Sequence, residues 1–175
     1  MQISRITASW LRKQNFKLEK GLTIAGCYLK DLPVFIDDRG DITELWSKKW
    51  ADFKDGQISK TDHVYQSATD PGVVKCWHLH EEHTDQFTIT RGKLQVCMVD
   101  LRTDSKTFGV VNSVIMGIQK PSLLVIPPGV MHGWKALGTQ ETIVVNFSTH
   151  IYDVKDELRF PWDCVLKEIW GPKNG

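Results

Sequence analysis

From residue 23 to residue 148 the chain is a succession of short apolar or alternating runs: 23–30, 33–37, 41–47, 61–68, 72–80, 85–90, 93–101, 109–116, 122–127, 131–137 and 141–148. Turn signals separate them, among them Asp38-Arg39-Gly40, Asp70-Pro71-Gly72, Arg91-Gly92, Thr103-Asp104-Ser105, Pro127-Pro128-Gly129 and Leu137-Gly138-Thr139. Glycine reaches backbone angles closed to other residues and proline fixes its own, so each cluster ends a strand and reverses the chain. Many short strands with no alternating helices predict an all-β fold, a sandwich or double-sheet jelly roll. Short marginal helices are predicted at 8–20 and 45–54. After Asp153 the tail carries Leu158, Phe160, Trp162, Val165, Ile169 and Trp170. It is too apolar to be left in water and predicts packing back over the barrel.

The 175 residues are expected to form one domain, 1–175, without internal repeats or linkers, large enough to bury a core without disulfides. A net charge of +1 with 25% charged residues gives no global electrostatic case for nucleic acid or an acidic membrane, so phosphate recognition has to be local. The four cysteines, Cys27, Cys76, Cys97 and Cys164, lie far apart without C-x-x-C spacing, which points to a reduced, cytoplasmic protein. No stretch has the length of a signal peptide's apolar region or of a membrane span.

Three of the six histidines fall between Gly72 and Gly92. His78 and His80 are two apart in a predicted strand, so their imidazoles enter one cavity. That arrangement suits metal chelation and equally suits a general base with a polar neighbour. His83, on the turn side, reads as a hydrogen-bonded barrel residue. The spacing Gly72-x5-His78-x-His80-x4-Asp85-x6-Gly92, with Pro127-x-Gly129-x2-His132 downstream, resembles the two-part cupin pattern, with Asp85 where Glu is usual. That resemblance implies a double-stranded β-helix and, in one reading, a divalent metal on His78, His80, Asp85 and His132.

A second resemblance spans roughly residues 22–170. The segments Phe35–Glu44, Gly72–His78, Val99–Gly109, Ile126–Trp134 and the region of Tyr152 are similar, in order and spacing, to the dTDP-4-dehydrorhamnose 3,5-epimerase family. The resemblance implies a cupin jelly roll, usually a homodimer, acting on a nucleotide-linked 4-keto-6-deoxy sugar. The C4 carbonyl of such a sugar acidifies the hydrogens on C3 and C5, so a base of near-neutral pKa removes one and leaves an enolate; neither metal nor cofactor is required. By resemblance His78 is the base. An acidic residue of the C-terminal segment, Asp163 being the candidate, orients its ring. Phe35, Arg39 and Glu44 match positions that contact the nucleotide, in some members in the partner subunit's site. Lys75 stands where the family has Arg, and His132 matches a pocket histidine.

Two positions depart from the family. Asp85 or Gln86 replaces a Lys that supports the enolate, and Asn146 replaces the Tyr that returns a proton to the opposite face; an amide cannot act as that acid. The expectation is an isomerase that inverts one carbon, C3, or takes an unusual substrate. The alternatives are the metal-dependent cupin and a sugar-nucleotide-binding module without catalysis.

Overall fold

The computed structural model describes residues 5–51 and 57–172. Thirteen strands run in chain order among them: β1 Lys17–Glu19, β2 Tyr28–Asp31, β3 Val34–Asp37, β4 Gly40–Thr43, β5 His63–Thr69, β6 Val74–His80, β7 Asp85–Arg91, β8 Lys93–Asp100, β9 Val110–Gly117, β10 Ser122–Ile126, β11 Val130–Leu137, β12 Thr142–Ser148 and β13 Glu157–Arg159. One sheet has the order β1-β9-β8-β11-β6-β13, the second β2-β10-β7-β12-β5, and β3-β4 is a separate hairpin. This is the expected cupin jelly roll.

Three apolar layers hold it together. Between the sheets pack Phe87 and Ile89 of β7, Leu94, Val96 and Met98 of β8, Leu124 and Ile126 of β10, Trp134 of β11 and Val144 of β12. The outer face of the first sheet presents Trp77 and Leu79 of β6 and Cys97 and Val99 of β8, covered by Leu11 and by Phe160, Ile169 and Trp170 of the tail. Trp77 and Trp170 meet with ring centroids 5.2 Å apart. Strand β8 is therefore apolar on both faces, which explains its nearly continuous apolar run. Outside the second sheet, Leu123 and Val125 of β10 pack with Leu32 and Ile58. Burying each such aliphatic or aromatic side chain contributes roughly 1.5–3 kcal/mol.

The same alternation sets up the cavity. Trp77 and Leu79 point outward into the tail, so His78 and His80 point inward. Opposite them β11 contains Gly133, where the pairing with β6 shifts register between His132 and Trp134. A Cβ at Gly133 would lie 2.0 Å from the Cys76 Cβ, so only glycine lets the two strands approach this closely.

The margins differ from expectation. The helix expected over 8–20 is a single turn, α1 Ala8–Leu11, capped by Thr7, whose hydroxyl accepts from Trp10 N. Residues 17–19 are instead β1, parallel to β9. The strand expected from 23 begins at Tyr28, because the N–H groups of Thr23 and Ile24 donate to the buried Asn112 Oδ1. The second expected helix is present as α2 Lys48–Ala51, and residues 52–54 lie outside the described residues. The tail packs back as expected and adds β13, antiparallel to β6, and a 3₁₀ turn at Lys167–Trp170. No helix among the described residues is long and apolar enough to cross a membrane.

The segment Val99–Gly109 is a structural knot rather than part of the cavity. The buried Asp100 carboxylate accepts from Arg102 N at 3.0 Å, Arg102 Nε and Nη2 at 2.8 Å each, and Ser105 Oγ and Thr107 Oγ1 at 2.6 Å each. The Arg102 side chain lies under the Pro127-Pro128-Gly129 turn, where a Cβ at Gly129, whose φ is +78°, would come within 2.5 Å of Arg102 Cγ. This packing fixes the start of β11, two residues before His132.

Burial pushes the Asp100 carboxyl upward, but the bonds from Arg102, Ser105 and Thr107 outweigh it and hold the group below its ordinary range. A depressed carboxylate stabilises the fold above its unfolded pKa, about 3.9, and the contribution disappears as pH falls through the folded value. Asp100→Asn is expected to cost about 2–3 kcal/mol at pH 7 in urea unfolding. The gap between variant and wild type should narrow below about pH 4.

Candidate functional site

The sheets enclose a cavity of about 710 Å³ lined from β5, β6, the β6–β7 turn, β7, β11, β12, β13 and the segment leading into β13. It has the size of a small-ligand site. Of the residues singled out from sequence, Lys75, His78, His80, Asp85, His132, Asn146 and Tyr152 line it.

His78 lies with its ring centroid 6.1 Å from those of His132 and Trp134. Its Nδ1 is 3.5 Å from Glu157 Oε1, and Glu157 Oε2 accepts from Arg159 Nη2 at 2.7 Å. Burial, and then the neighbouring His132, pull the His78 pKa down to about 4 against the opposing pull of Glu157. His78 is thus neutral at pH 7, with a free lone pair for a proton. Burial pushes Glu157 up, but Arg159 and His78 hold it ionised below its ordinary range.

This corrects the expected partner of His78. Asp163 is exposed, in the turn after Pro161, and does not line the cavity, whereas Glu157 does. The pairing of β13 with β6, Arg159 opposite His78 and Glu157 opposite His80, brings the carboxylate to the ring. A three-residue strand 79 positions from its partner has too little periodicity to be found in sequence.

Asp85, buried at the start of β7, collects contacts from four directions. Its Oδ2 lies 3.0 Å from His132 Nε2 and 3.6 Å from His80 Nε2; its Oδ1 lies 3.6 Å from His83 Nε2 and accepts from Asn146 Nδ2. Burial pushes its carboxyl up, yet the bonds to His132 and His83 hold it well below its ordinary range. Burial lowers His83, but Asp85 and Asp156 raise it overall. His80 is lowered to about 4, chiefly by burial. His83 is hydrogen-bonded, as its turn position suggested, through Nδ1 to Asp156 Oδ2 at 2.7 Å, and it also lines the cavity.

Asn146 does not leave the cavity without a phenol. Tyr65, directly opposite it across β12 and β5, accepts from Asn146 Nδ2 at 2.8 Å through its hydroxyl. Burial, and then the charge of Asp85, push the Tyr65 pKa up to about 12, so its proton stays on at pH 7. Tyr65 was missed because β5 is largely exposed and alternates weakly. Lys75 Nζ donates to Ser67 Oγ at 3.1 Å and to the Ala68 carbonyl, so two of its three hydrogens are committed to β5.

Phe35, Arg39 and Glu44 belong to the β3–β4 hairpin region and do not line this cavity. Phe35 pairs with Ile42 across the hairpin, and the Arg39 guanidinium lies on Asp37. Phe35, Ile36 and Ile42 are 61%, 80% and 68% exposed, so the hairpin presents an apolar surface that the described residues leave uncovered.

The family model for dTDP-4-dehydrorhamnose 3,5-epimerase matches residues 21–170. The spore coat polysaccharide biosynthesis protein SpsL of Bacillus subtilis is 39% identical over 145 residues, 80% of this chain and 91% of that protein. The probable low-salt glycan biosynthesis epimerase Agl13 of Haloferax volcanii is 34% identical over 139 residues, 77% of this chain and 86% of its own. The crystal structure of dTDP-4-dehydrorhamnose 3,5-epimerase from Sulfolobus tokodaii superposes with a TM-score of 0.72 at 28% identity, covering 81% of this chain and 80% of that one. With a match over nearly the whole length and two curated relatives above 30% identity, the chain belongs to the dTDP-4-dehydrorhamnose 3,5-epimerase family of isomerases, as a divergent member.

Proposed function

We propose that this isomerase epimerises a nucleoside-diphosphate-linked 4-keto-6-deoxyhexose, with His78 as the base that removes a hydrogen next to the keto group. The observation that carries the reading is the neutral, half-buried His78 set against the ionised Glu157 inside a cavity of ligand size. As His78 takes the proton it becomes an imidazolium, and Glu157, held by Arg159, stabilises that charge as it forms. In the other direction Tyr65 supplies a proton to the enolate, replacing the phenol absent at Asn146. One phenol offset from β12 to β5 serves one carbon in this reading, with C3 inverted. His132 and Tyr152 contact the sugar, and Lys75 with Arg159 at the cavity edge attracts the diphosphate.

The nucleotide end is completed by a second copy. The uncovered hairpin carries Phe35, Arg39 and Glu44 away from its own cavity, which supports a homodimer in which each hairpin reaches the other subunit's site. Among the described residues no disulfide joins the cysteines, in keeping with a reducing cytoplasm. The names of the Bacillus and Haloferax relatives support a product destined for a surface glycan.

Deuterium wash-in from heavy water into dTDP-4-keto-6-deoxyglucose, followed by proton NMR at C3 and C5, tests the chemistry. His78→Asn is expected to abolish exchange and inversion while leaving dTDP affinity within a few fold; exchange at the wild-type rate would remove His78 as base. Tyr65→Phe should separate the two readouts, because His78 alone can return a deuteron to the face it deprotonated. Inversion should fall by about 10²-fold or more while wash-in continues. Comparable inversion at both carbons in the wild type would count against the single-carbon reading.

The revised partner of His78 has its own test. Glu157→Gln is expected to lower kcat by about tenfold or more by leaving the forming imidazolium without its counter-charge. Asp163→Asn should stay within twofold, and the opposite ranking would restore Asp163. For the dimer, Phe35→Ser with Ile42→Ser should shift the protein to a monomer in sedimentation and weaken dTDP binding together; a wild type that sediments as a monomer would end that part of the reading.

A further inference from the structure

The direction of the ring nitrogens at the cavity floor carries a further conclusion. His80 Nδ1 lies 3.3 Å from the Asp156 carbonyl oxygen, His83 Nδ1 2.7 Å from Asp156 Oδ2, and His132 Nδ1 3.1 Å from the Val130 carbonyl oxygen. Carbonyl and carboxylate oxygens only accept, so each Nδ1 points a hydrogen at its oxygen and each ring turns its Nε2 toward the cavity floor, where release of the Nε2 proton frees a lone pair. All three Nε2 atoms face the Asp85 carboxylate, itself an acceptor, at 3.0–3.6 Å. Lone pairs opposed across a buried site repel unless something positive lies between them. A proton on one ring relieves one contact, whereas a cation among them relieves several.

The spacing suits a cation. Ligand atoms of His80, His83 and Asp85 all lie within 4.8 Å of one another. Neighbouring ligands around a metal bound at about 2.1 Å stand roughly 3.0–3.4 Å apart, so His80 and His83, each 3.6 Å from an Asp85 oxygen, draw in toward the carboxylate when an ion is seated. The outer groups are in place as well. Asp156, which holds the Nδ1 sides of His80 and His83, is itself fixed by Glu81 N and Glu82 N at 2.8 Å each. Such carboxylate and carbonyl partners orient metal-binding imidazoles.

We propose that His80 Nε2, His83 Nε2 and the Asp85 carboxylate bind a divalent transition-metal cation, of the zinc or cobalt class, with His132 Nε2 beside it. The set differs from the four residues expected of a metal cupin, because His78 is turned to Glu157 and His83 takes its place. Two imidazoles and a carboxylate leave coordination positions open toward the cavity. If the epimerase reading holds, on which this second step rests, the cation polarises the sugar's C4 oxygen at the place where Asp85 or Gln86 replaces the family's lysine.

Untagged protein, stripped with chelator, dialysed and titrated with Co2+ without nucleotide, is the direct test, read by visible d–d absorption and calorimetry. The wild type is expected to take up one Co2+ per chain, with Zn2+ displacing it. His83→Gln and Asp85→Asn should each weaken binding by about tenfold or more, as should Asp156→Asn, which keeps every proposed ligand and guards against a folding defect in the other two. His78→Asn should bind within twofold of the wild type. No saturable uptake by the wild type, or affinities unmoved in all three variants, would overturn the site. Saturable uptake without deuterium exchange would uphold the site and overturn the epimerase reading; exchange in protein that takes up no cation would do the reverse.

Discussion

The buried Asp85 carboxylate is the constraint on which the rest of the site depends. A lone carboxylate out of water costs several kcal/mol, so the fold has to surround it with polar partners or protonate it. The partners come from four separate elements: His80 from β6, His83 from the β6–β7 turn, His132 from β11 and Asn146 from β12. Two of those strands belong to one sheet and one to the other, so satisfying a single side chain fixes how the sheets sit across the cavity. An apolar residue at position 85 would let the sheets close on each other. The cavity stays open because its floor is polar and mutually held.

A second cluster solves the same problem outside the cavity. Asp100 is equally buried, but its partners all come from one loop and include a permanent cation, Arg102. It therefore serves as an anchor with no chemistry left over. The two aspartates show how similar burial leads to different uses: the Asp100 carboxylate is taken up by its own loop, whereas the Asp85 carboxylate faces a cavity among imidazoles, which can donate, accept or take a ligand. Motif likeness alone does not make this distinction, since Val99–Gly109 and Gly72–His78 both match the family while only the second lines the site.

Much of the architecture was legible in sequence because it rests on local rules. Turn residues mark strand ends, and period-two alternation places His78 and His80 together. The spacing from Pro127 to His132 puts a third imidazole near them. What sequence did not disclose depends on pairing between distant segments. Glu157 reaches His78 only because the tail returns as β13, and Tyr65 reaches the Asn146 amide only because β5 pairs with β12 in the register that sets the two opposite each other. Asp163 looked suitable because it is acidic and lies in the right part of the chain; the register of β13 decides instead. The helix expected over 8–20 failed for a similar reason, since residues 17–19 find a partner strand in β9 that outweighs their own weak preference.

Asp85 and Asn146, expected from the resemblance to stand where the family has Lys and Tyr, are coherent once considered together. Asn146 spans them: its amide donates both to Asp85 and to the Tyr65 hydroxyl. A phenol at position 146 would remove the donor that Asp85 Oδ1 receives, and a lysine at 85 would bring its charge among His80, His83 and His132. Positions 85 and 146 thus depend on each other through the Asn146 amide. A single substitution such as Asn146→Tyr would leave the buried Asp85 with one partner fewer and take the amide from the Tyr65 hydroxyl. The expected result is a loss of stability on the order of 1–3 kcal/mol by chemical denaturation, without recovered inversion at C5. A stable Asn146→Tyr protein that inverts both carbons would mean that the phenol position and the Asp85 cluster are independent after all.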